Sequence, residues 1–324
     1  MVQSYQQLQQ QFCKVLIAHG FNEERATICA NIFAGNSRDG VYSHGLNRFP
    51  VFIKYVKEGL IDANAEPKLI GHNGIIENWD AQLAPGMYAA SMAMQRATAL
   101  AKENGIGVVT LKNTNHWMRG GTYGWQAADA GCIGICASNT IAIMPPWGGR
   151  KPTLGNNPLV IAVPRADGHI VLDMAISQFS YGKMQEYELN GRQLPFAGGY
   201  NEAGELTTDP TTIKKLKSAL PIGYWKGSGL SLMIDLLVAG LSGGLSVAEI
   251  TATEKEFGVS QMFMAINAAQ LSAELVERII HFTKSEDKEG NIRYPGEQVL
   301  IARKRSEVEG IPVNESIWNR VLEL

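Results

Sequence analysis

The chain has 324 residues, 45% of them hydrophobic and 19% charged, with a formal net charge of −2. That length exceeds what one core usually serves, so two or three subdomains are expected in a globular protein of ordinary composition. The balanced charge offers no footprint for nucleic acid or an anionic membrane surface, and no uncharged run of about 18 apolar residues is present to span a bilayer.

The first residues carry no apolar run, so no signal peptide is expected and the cytoplasm is the default location. Cys13, Cys29, Cys132 and Cys136 are too few for a disulfide framework and lack zinc-like spacing. A reducing compartment and no metal site are the expectation.

In chain order, apolar residues at Leu8, Phe12, Val15 and Leu16 predict a helix over 4–19, capped by Ser4 and stopped by Gly20. Asn22 caps a second helix through about Phe33, with Glu23 and Glu24 in its first turn. The tract Ser43-His-Gly-Leu-Asn-Arg-Phe-Pro50 then falls near a helix start, and Pro50 opens a helix running to Gly59. If this tract is helical, His44 and Arg48 lie four apart and share a face. An imidazole can protonate an oxygen near neutral pH, and a guanidinium can grip a carboxylate with two parallel hydrogen bonds. The pair therefore suits a small substrate with both a carbonyl and a carboxylate. The plainer reading of the tract is an exposed polar loop.

Residues 68–80 alternate as a strand does, 84–104 form an Ala- and Met-rich helix ended by Gly105, and 107–111 are a short strand. A polar, glycine-rich segment with Asn115, His116 and Arg119 leads into a helix around 125–130. Strands follow at 134–138, 159–163 and 170–174, with Cys132 and Cys136 expected on one buried face. A helix starts at Trp225-Lys226-Gly227 and runs through Leu241. Segments 246–250, 259–266 and 271–284 read as helix, strand and helix, a basic helix follows Pro295-Gly-Glu-Gln298, and 316–322 form a last helical turn. Strands and helices mix without regular βαβ alternation, which predicts an α+β (mixed) architecture.

The Gly-x-Gly-x-x-Gly dinucleotide fingerprint is absent; Gly227-Ser-Gly-Leu-Ser-Leu lacks the third glycine. A P-loop and a nucleophile elbow are absent too. Three further clusters stand out: Asn115-His116 near Arg119, Gly155-Asn-Asn-Pro158, and Tyr224-Trp-Lys-Gly227. Their plainer readings are a water-contacting loop imidazole, an ordinary turn, and a surface aromatic beside a solvated lysine.

In their order, Ser43-His-Gly-x-x-Arg48, Asn115-His116, Gly155-x-Asn-Pro158, Leu172-Asp-Met174 and Trp225-Lys-Gly227 resemble the type 2 malate/L-lactate dehydrogenase family. The longer strings Gly40 to Pro50, Asn115 to Gly121, Met144 to Gly148, Phe179 to Gly182 and Gly223 to Gly229 are similar to its sugar-acid branch. The resemblance covers nearly the whole chain.

It implies an NADH-dependent 2-keto acid reductase with His44 as acid/base and Arg48 on the substrate carboxylate. Ser43 and His116 would line the same pocket. It implies cofactor contacts at His169, Ile170, Val171, Leu172, Asp173, Met174 and Ala175, at Trp225 and Lys226, and at Gly296, Glu297 and Gln298. NADPH is the alternative cofactor, although no Arg or Lys for its 2′-phosphate can be placed.

The implied fold is a non-Rossmann nucleotide-binding domain with a mostly antiparallel seven-stranded sheet flanked by helices, over 76–295. A helical segment, 1–75, would pack with 296–324. A homodimer with its active site near the subunit interface is implied as well. Within the family, malate, lactate, ureidoglycolate, sulfolactate or a cyclic imino acid are the alternative substrates; from another class, the alternative is a non-enzymatic binding protein. Relatives carry a Lys or Arg near Thr140 or Ile141, where this chain has none, so no role of that residue carries over.

Overall fold

Local signals start the chain as expected. The computed structural model describes residues 1–324. After the short strand β1 (Val2–Gln3), Ser4 accepts from the Gln7 N–H and the Gln7 side chain returns to the Ser4 N–H, opening α1 (Tyr5–Ala18). Asn22 accepts from the Arg25 N–H at 2.9 Å and opens α2 (Glu23–Arg38), which passes the expected end near Phe33. Gly35 does not stop it; the chain turns only at Gly40, where φ is +81°.

The tract 42–48 is not one α-helix. It forms two successive 3₁₀ turns, Tyr42–His44 and Leu46–Arg48, so the expected α-helical face shared by His44 and Arg48 is not formed. Gly45 separates the turns. A Cβ there would lie 2.3 Å from Ser37 Oγ and 2.8 Å from the Ser37 amide nitrogen, so the tract can press onto α2 only with glycine at this point. α3 (Phe49–Lys57) follows with Pro50 in its first turn.

The predicted strand over 68–80 is a hairpin, β2 (Lys68–Asn73) and β3 (Ile76–Asp80), turning at Gly74. Then come α4 (Gly86–Asn104), β4 (Ile106–Thr114), α5 (Gly121–Asp129) and β5 (Cys132–Ser138). β6 (Ala142–Met144), β7 (Leu154–Gly155), β8 (Leu159–Val163) and β9 (Ile170–Met174) precede α6 (Tyr181–Leu189). The next run is β10 (Gly199–Tyr200), β11 (Leu206–Thr207), α7 (Pro210–Leu216), α8 (Trp225–Ser242) and α9 (Val247–Ala252). The chain closes with β12 (Val259–Asn267), α10 (Ala273–Thr283), α11 (Glu297–Glu309), β13 (Ile311–Pro312) and α12 (Glu315–Leu322).

Seven strands make a mixed sheet in the order β2-β3-β4-β12-β5-β8-β9. β3 and β4 run parallel; every other neighbouring pair in it is antiparallel. β12, late in sequence, inserts between β4 and β5 at the centre. Helices flank the sheet. α4 and α5 lie close on one face because β4 and β5 offer glycines there: a Cβ at Gly107 would meet Ala97 O at 2.4 Å, and one at Gly134 would meet Ala127 Cβ at 2.6 Å. Cys132 and Cys136 are both buried on that side, as their spacing predicts. α8 covers the other face, with Ile234 and Val238 buried against Met262 and Val108. A separate core joins α1, α2, α3 and α12 around Phe12, Phe33 and Phe49, whose ring centroids lie 4.4 to 5.8 Å apart.

One contact in this frame fixes the loop that carries His116. A Cβ at Gly86, the first residue of α4, would sit 2.2 Å from Asn115 O and 2.5 Å from His116 O. Both are backbone atoms, so the loop itself must move. Gly86→Ala is expected to cost about 1–3 kcal/mol of stability by overpacking and to lower turnover several-fold. Thermal unfolding and steady-state rates check this; a variant with wild-type melting and turnover would refute the contact's importance.

Candidate active site

The 3₁₀ tract is pinned from α2. Asn36 donates from its amide to the His44 carbonyl at 2.9 Å, and Ser37 Oγ accepts from the Leu46 N–H at 2.9 Å. Ser43 Oγ lies 3.0 Å from His44 Nδ1. The His116 ring stacks on that of His44, with centroids 5.6 Å apart and planes 12° from parallel. Beside the tract, a Cβ at Gly182 would lie 2.5 Å from Ser43 Cβ, so α6 can close over Ser43 and His44 only with glycine there.

The loop after β4 divides its labour. Asn115 is buried and donates from its amide to the carbonyls of Leu60, Leu83 and Ala84, which makes it an anchor. His116 faces the cleft. The Met118 N–H donates to His116 Nδ1 at 3.0 Å, so that nitrogen carries the lone pair and Nε2 carries the proton. Nε2 points toward Glu256 Oε1 at 3.9 Å, beyond hydrogen-bond reach. Met118 has φ +65°, backbone strain concentrated at this loop.

Two cavities meet at the imidazoles. One, about 380 Å³, runs from His44 and His116 past Met118 and Gly120 to Val171 and Asp173 on β9 and to Gly296. The other, about 470 Å³, is lined by polar and charged groups including Arg48, Lys214, Lys217 and Glu256. Ser43, His44, His116, Thr140, Asn156 and Ser180 line both. A molecule in either cavity therefore reaches the same two rings.

Burial first, then the positive charges of Arg48 and Arg119, pull the His44 pKa down to about 4. Burial, Arg48 and His44 drive that of His116 well below its ordinary value. Both rings are thus neutral at pH 7 in the free cleft. Burial raises the Glu256 carboxyl against the opposing pull of Arg48 and the Ile141 N–H. Arg48 forms no ion pair within the chain, which leaves its guanidinium available.

Behind the cleft lies a charged clamp. Asp39 accepts from Arg119 at 2.9 Å, from Arg303 at 2.8 and 3.0 Å, and from Arg38 at 3.0 Å. Burial pushes the Asp39 carboxyl up, but the Arg303 hydrogen bond and the charges of Arg119, Arg303 and Arg38 reverse this and hold it below its ordinary range. Arg119 Nε also stands 3.8 Å from Asp173, whose Oδ2 accepts from the Gly121 N–H at 2.8 Å. Burial raises the Asp173 carboxyl despite both partners.

The expected site residues divide into two groups. Ser43, His44 and His116 are brought together, and Arg48 lines the adjoining cavity. Val171, Leu172, Asp173, Ala175 and Gly296 line the first cavity. His169 does not: its Nε2 bonds Asp129 at 2.9 Å and its Nδ1 accepts from the Arg165 N–H, tying β9 to α5. Ile170 and Met174 belong to the ladder with β8, Glu297 pairs with Lys284 at 2.7 Å, and Gln298 is exposed. Trp225 and Lys226 are exposed at the start of α8, outside both cavities.

In Gly155 to Pro158, Asn156 lines the cleft, while the buried Asn157 bonds the Thr140 N–H at 3.1 Å and the Ser231 carbonyl at 2.8 Å. Sequence reading passed over Thr140, Glu256 and Asp39 as site or support residues. Thr140 and Glu256 lie in short polar stretches that carry no motif; the available signals were the polar turn after a strand at Thr140 and the position of Asp39 directly before the Gly40 string.

Nearly the whole chain that builds this cleft is matched by known proteins. The family model described as malate/L-lactate dehydrogenase matches residues 3–322. The chain belongs to the malate/L-lactate dehydrogenase family.

It is similar to a 2,3-diketo-L-gulonate reductase of Escherichia coli, 44% identical over 330 residues that cover 99% of each chain. It is 46% identical to the protein of that name from Citrobacter koseri over 331 residues, again 99% of each. Among solved structures, malate dehydrogenase from Entamoeba histolytica matches with a TM-score of 0.92 at 24% identity, covering 100% of this chain and 96% of that one. Δ1-Piperideine-2-carboxylate reductase from Pseudomonas syringae matches with a TM-score of 0.89 at 28% identity, covering 100% and 99%. As a member of this family, the protein is an oxidoreductase acting on CH–OH groups and their carbonyl counterparts. No helix is long and apolar enough to cross a membrane, and no group of three or more His, Cys, Asp or Glu side chains is arranged to hold a metal ion.

Proposed function

We propose that the protein reduces the 2-keto group of 2,3-diketo-L-gulonate with NADH. The observation that carries this reading is the shared wall of neutral imidazoles between an edge-strand slot and a polar pocket with an unpaired Arg48. The names of the relatives support the substrate.

The residues of the slot fit a nicotinamide dinucleotide on a non-Rossmann sheet edge. Gly296, at φ +95°, brings its backbone beside β9, where a Cβ would lie 3.1 Å from both His169 O and Val171 N. Trp117, Met118, Val171 and Val299 offer apolar surface to a flat ring, and Asp173, Thr140 and Asn156 offer polar partners. α11 begins directly after Gly296, and the N-terminus of a helix attracts phosphate. The bound cofactor supplies the hydride.

The chain's own groups do the rest. Arg48 holds the substrate carboxylate and so fixes which carbonyl face is presented. Burial and the nearby guanidinium charges keep His44 neutral in the free site. A bound carboxylate offsets the Arg48 charge, which raises the His44 pKa and allows it to carry the proton for the carbonyl oxygen. Ser43 at Nδ1 leaves Nε2 as the transferring atom. His116 donates from Nε2.

NADH oxidation followed by absorbance across 2,3-diketo-L-gulonate, pyruvate and oxaloacetate tests this, with NADPH run in parallel. Highest kcat/KM for the sugar-derived acid supports it; a preference for pyruvate or oxaloacetate replaces it with a lactate or malate reading. Arg48→Lys is expected to raise KM for the keto acid at least tenfold, because an ammonium cannot reproduce a bidentate grip. An unchanged KM would remove Arg48 from the carboxylate.

A homodimer completes the proposal. α8 exposes Leu232, Met233, Leu236, Leu237 and Leu241, each between 40 and 59% accessible. An apolar helix face of that size is rare on a monomer. Sedimentation velocity should give twice the 35.3 kDa chain mass; a monomer at micromolar concentration would refute it.

A further inference from the structure

Glu256 has no part in hydride transfer as described, yet it is placed with care. Its loop leaves α9 through Glu254, a non-glycine residue at φ +59°, and is tethered where Lys255 bonds Glu58 at 2.9 Å. Backbone strain of this kind persists where the surroundings impose it, and it gathers at ligand sites. The Ile141 N–H donates to Glu256 Oε2 at 3.3 Å and leaves Oε1 facing the cavity. Opposite stands the His116 Nε2–H, whose direction is set by the Met118 N–H on Nδ1. The two atoms are 3.9 Å apart, too far for a bond to each other.

An oxygen at ordinary hydrogen-bond distance from both, about 2.8 Å, sits at the apex of a bent bridge with an angle of roughly 90°. That oxygen must accept from the imidazole and donate to the carboxylate. A hydroxyl does both; a carbonyl has no proton for Glu256, and an ammonium has no lone pair for Nε2.

We propose that His116 and Glu256 form a donor–acceptor clip for one substrate hydroxyl, and that Glu256 is the residue that selects hydroxylated keto acids over unsubstituted ones. The proposal rests on the keto-acid reading above. With the carboxylate on Arg48 and the reacting carbonyl at His44, the hydroxyl in reach is the first beyond the dicarbonyl unit, on C4. A site built to bond a hydroxyl leaves its donor and acceptor unpaired against the bound substrate when the hydroxyl is missing, and discriminates for that reason.

The matched pair 4-hydroxy-2-ketobutyrate and 2-ketobutyrate differs only in that hydroxyl. Their kcat/KM values with NADH are measured for wild type, for the isosteric Glu256→Gln, and for Glu256→Asp, which keeps the charge but withdraws the oxygen. Wild type should favour the hydroxylated acid at least tenfold, and the ratio should fall at least tenfold in Glu256→Gln and partly in Glu256→Asp, whichever way absolute rates move. Thermal unfolding of each variant confirms that it is folded. A wild-type ratio near one, or a ratio unchanged in Glu256→Gln, overturns the clip while keto-acid reduction stands. Wild type that reduces neither acid nor 2,3-diketo-L-gulonate overturns the keto-acid reading and the clip with it.

Discussion

His44→Asn is expected to lower kcat for keto-acid reduction by roughly 10²–10⁴-fold, the usual worth of a positioned general acid, and to leave NADH affinity nearly intact. Asparagine reproduces the Nδ1 side of the ring and can keep the hydrogen bond to Ser43, but it has no group at the Nε2 position to give a proton. The separation of effects follows from the geometry, since His44 stands at the junction while the slot extends along β9 to Gly296.

The pH dependence carries the same argument with a definite sign. In the free enzyme His44 titrates near 4, depressed by burial, Arg48 and Arg119. The reductive kcat/KM, which reports free-enzyme groups, should therefore rise as pH falls from 8 toward 5 in wild type, and this rise should vanish in His44→Asn. A flat wild-type profile over that range, or wild-type turnover in the variant, would remove His44 as the acid. The depressed pKa also bears on stability. The unfolded chain takes up this proton near the ordinary value of 6.5 and the folded chain only near 4, so its contribution is fully present above 6.5 and is lost as pH falls through 4.

Asp39→Ala should damage the fold strongly. The carboxylate is buried and holds Arg119, itself buried, together with Arg303. Removing it leaves buried Arg119 with only the more distant Asp173, at 3.8 Å, as a counter-charge, at a cost of about 3–5 kcal/mol, or a fall in melting temperature on the order of 10 °C. Asp39→Asn, which keeps hydrogen-bond acceptance without the charge, should lose less. A melting temperature within a degree or two of wild type for Asp39→Ala would mean that the clamp is worth no more than an exposed ion pair. The clamp ties the end of α2, just before Ser43 and His44, to α11, which begins at the rim of the slot. Reduced turnover in folded Asp39→Asn would show that this tie also positions the catalytic tract.

Most elements were legible because their signals are local. Ser4 and Asn22 as caps, Gly105 as a stop, and the strands at 159–163 and 170–174 all lie where periodicity and cap chemistry put them. The tract around His44 forms two 3₁₀ turns and not one helix, since the steric demand that breaks it at Gly45 comes from Ser37 on another helix. α6 and α7 were not foreseen: α6 has a single buried residue, Met184, and α7 is a short polar helix held by its Asp209 cap, so neither shows apolar periodicity.

By itself, the sequence determined most of the element types and the absence of a glycine-rich dinucleotide turn, and it singled out His44 and Arg48 as the candidate acid and cation. Those depend on residue chemistry and on forces acting within a turn or two of helix. Only the tertiary structure decided that β12 enters the sheet between β4 and β5, that His44 stacks on His116, that Asp39 meets Arg303 across 264 positions, and that Glu256 faces the His116 Nε2–H. Those contacts are set by which surfaces bury one another across long stretches of chain, and no local propensity encodes them.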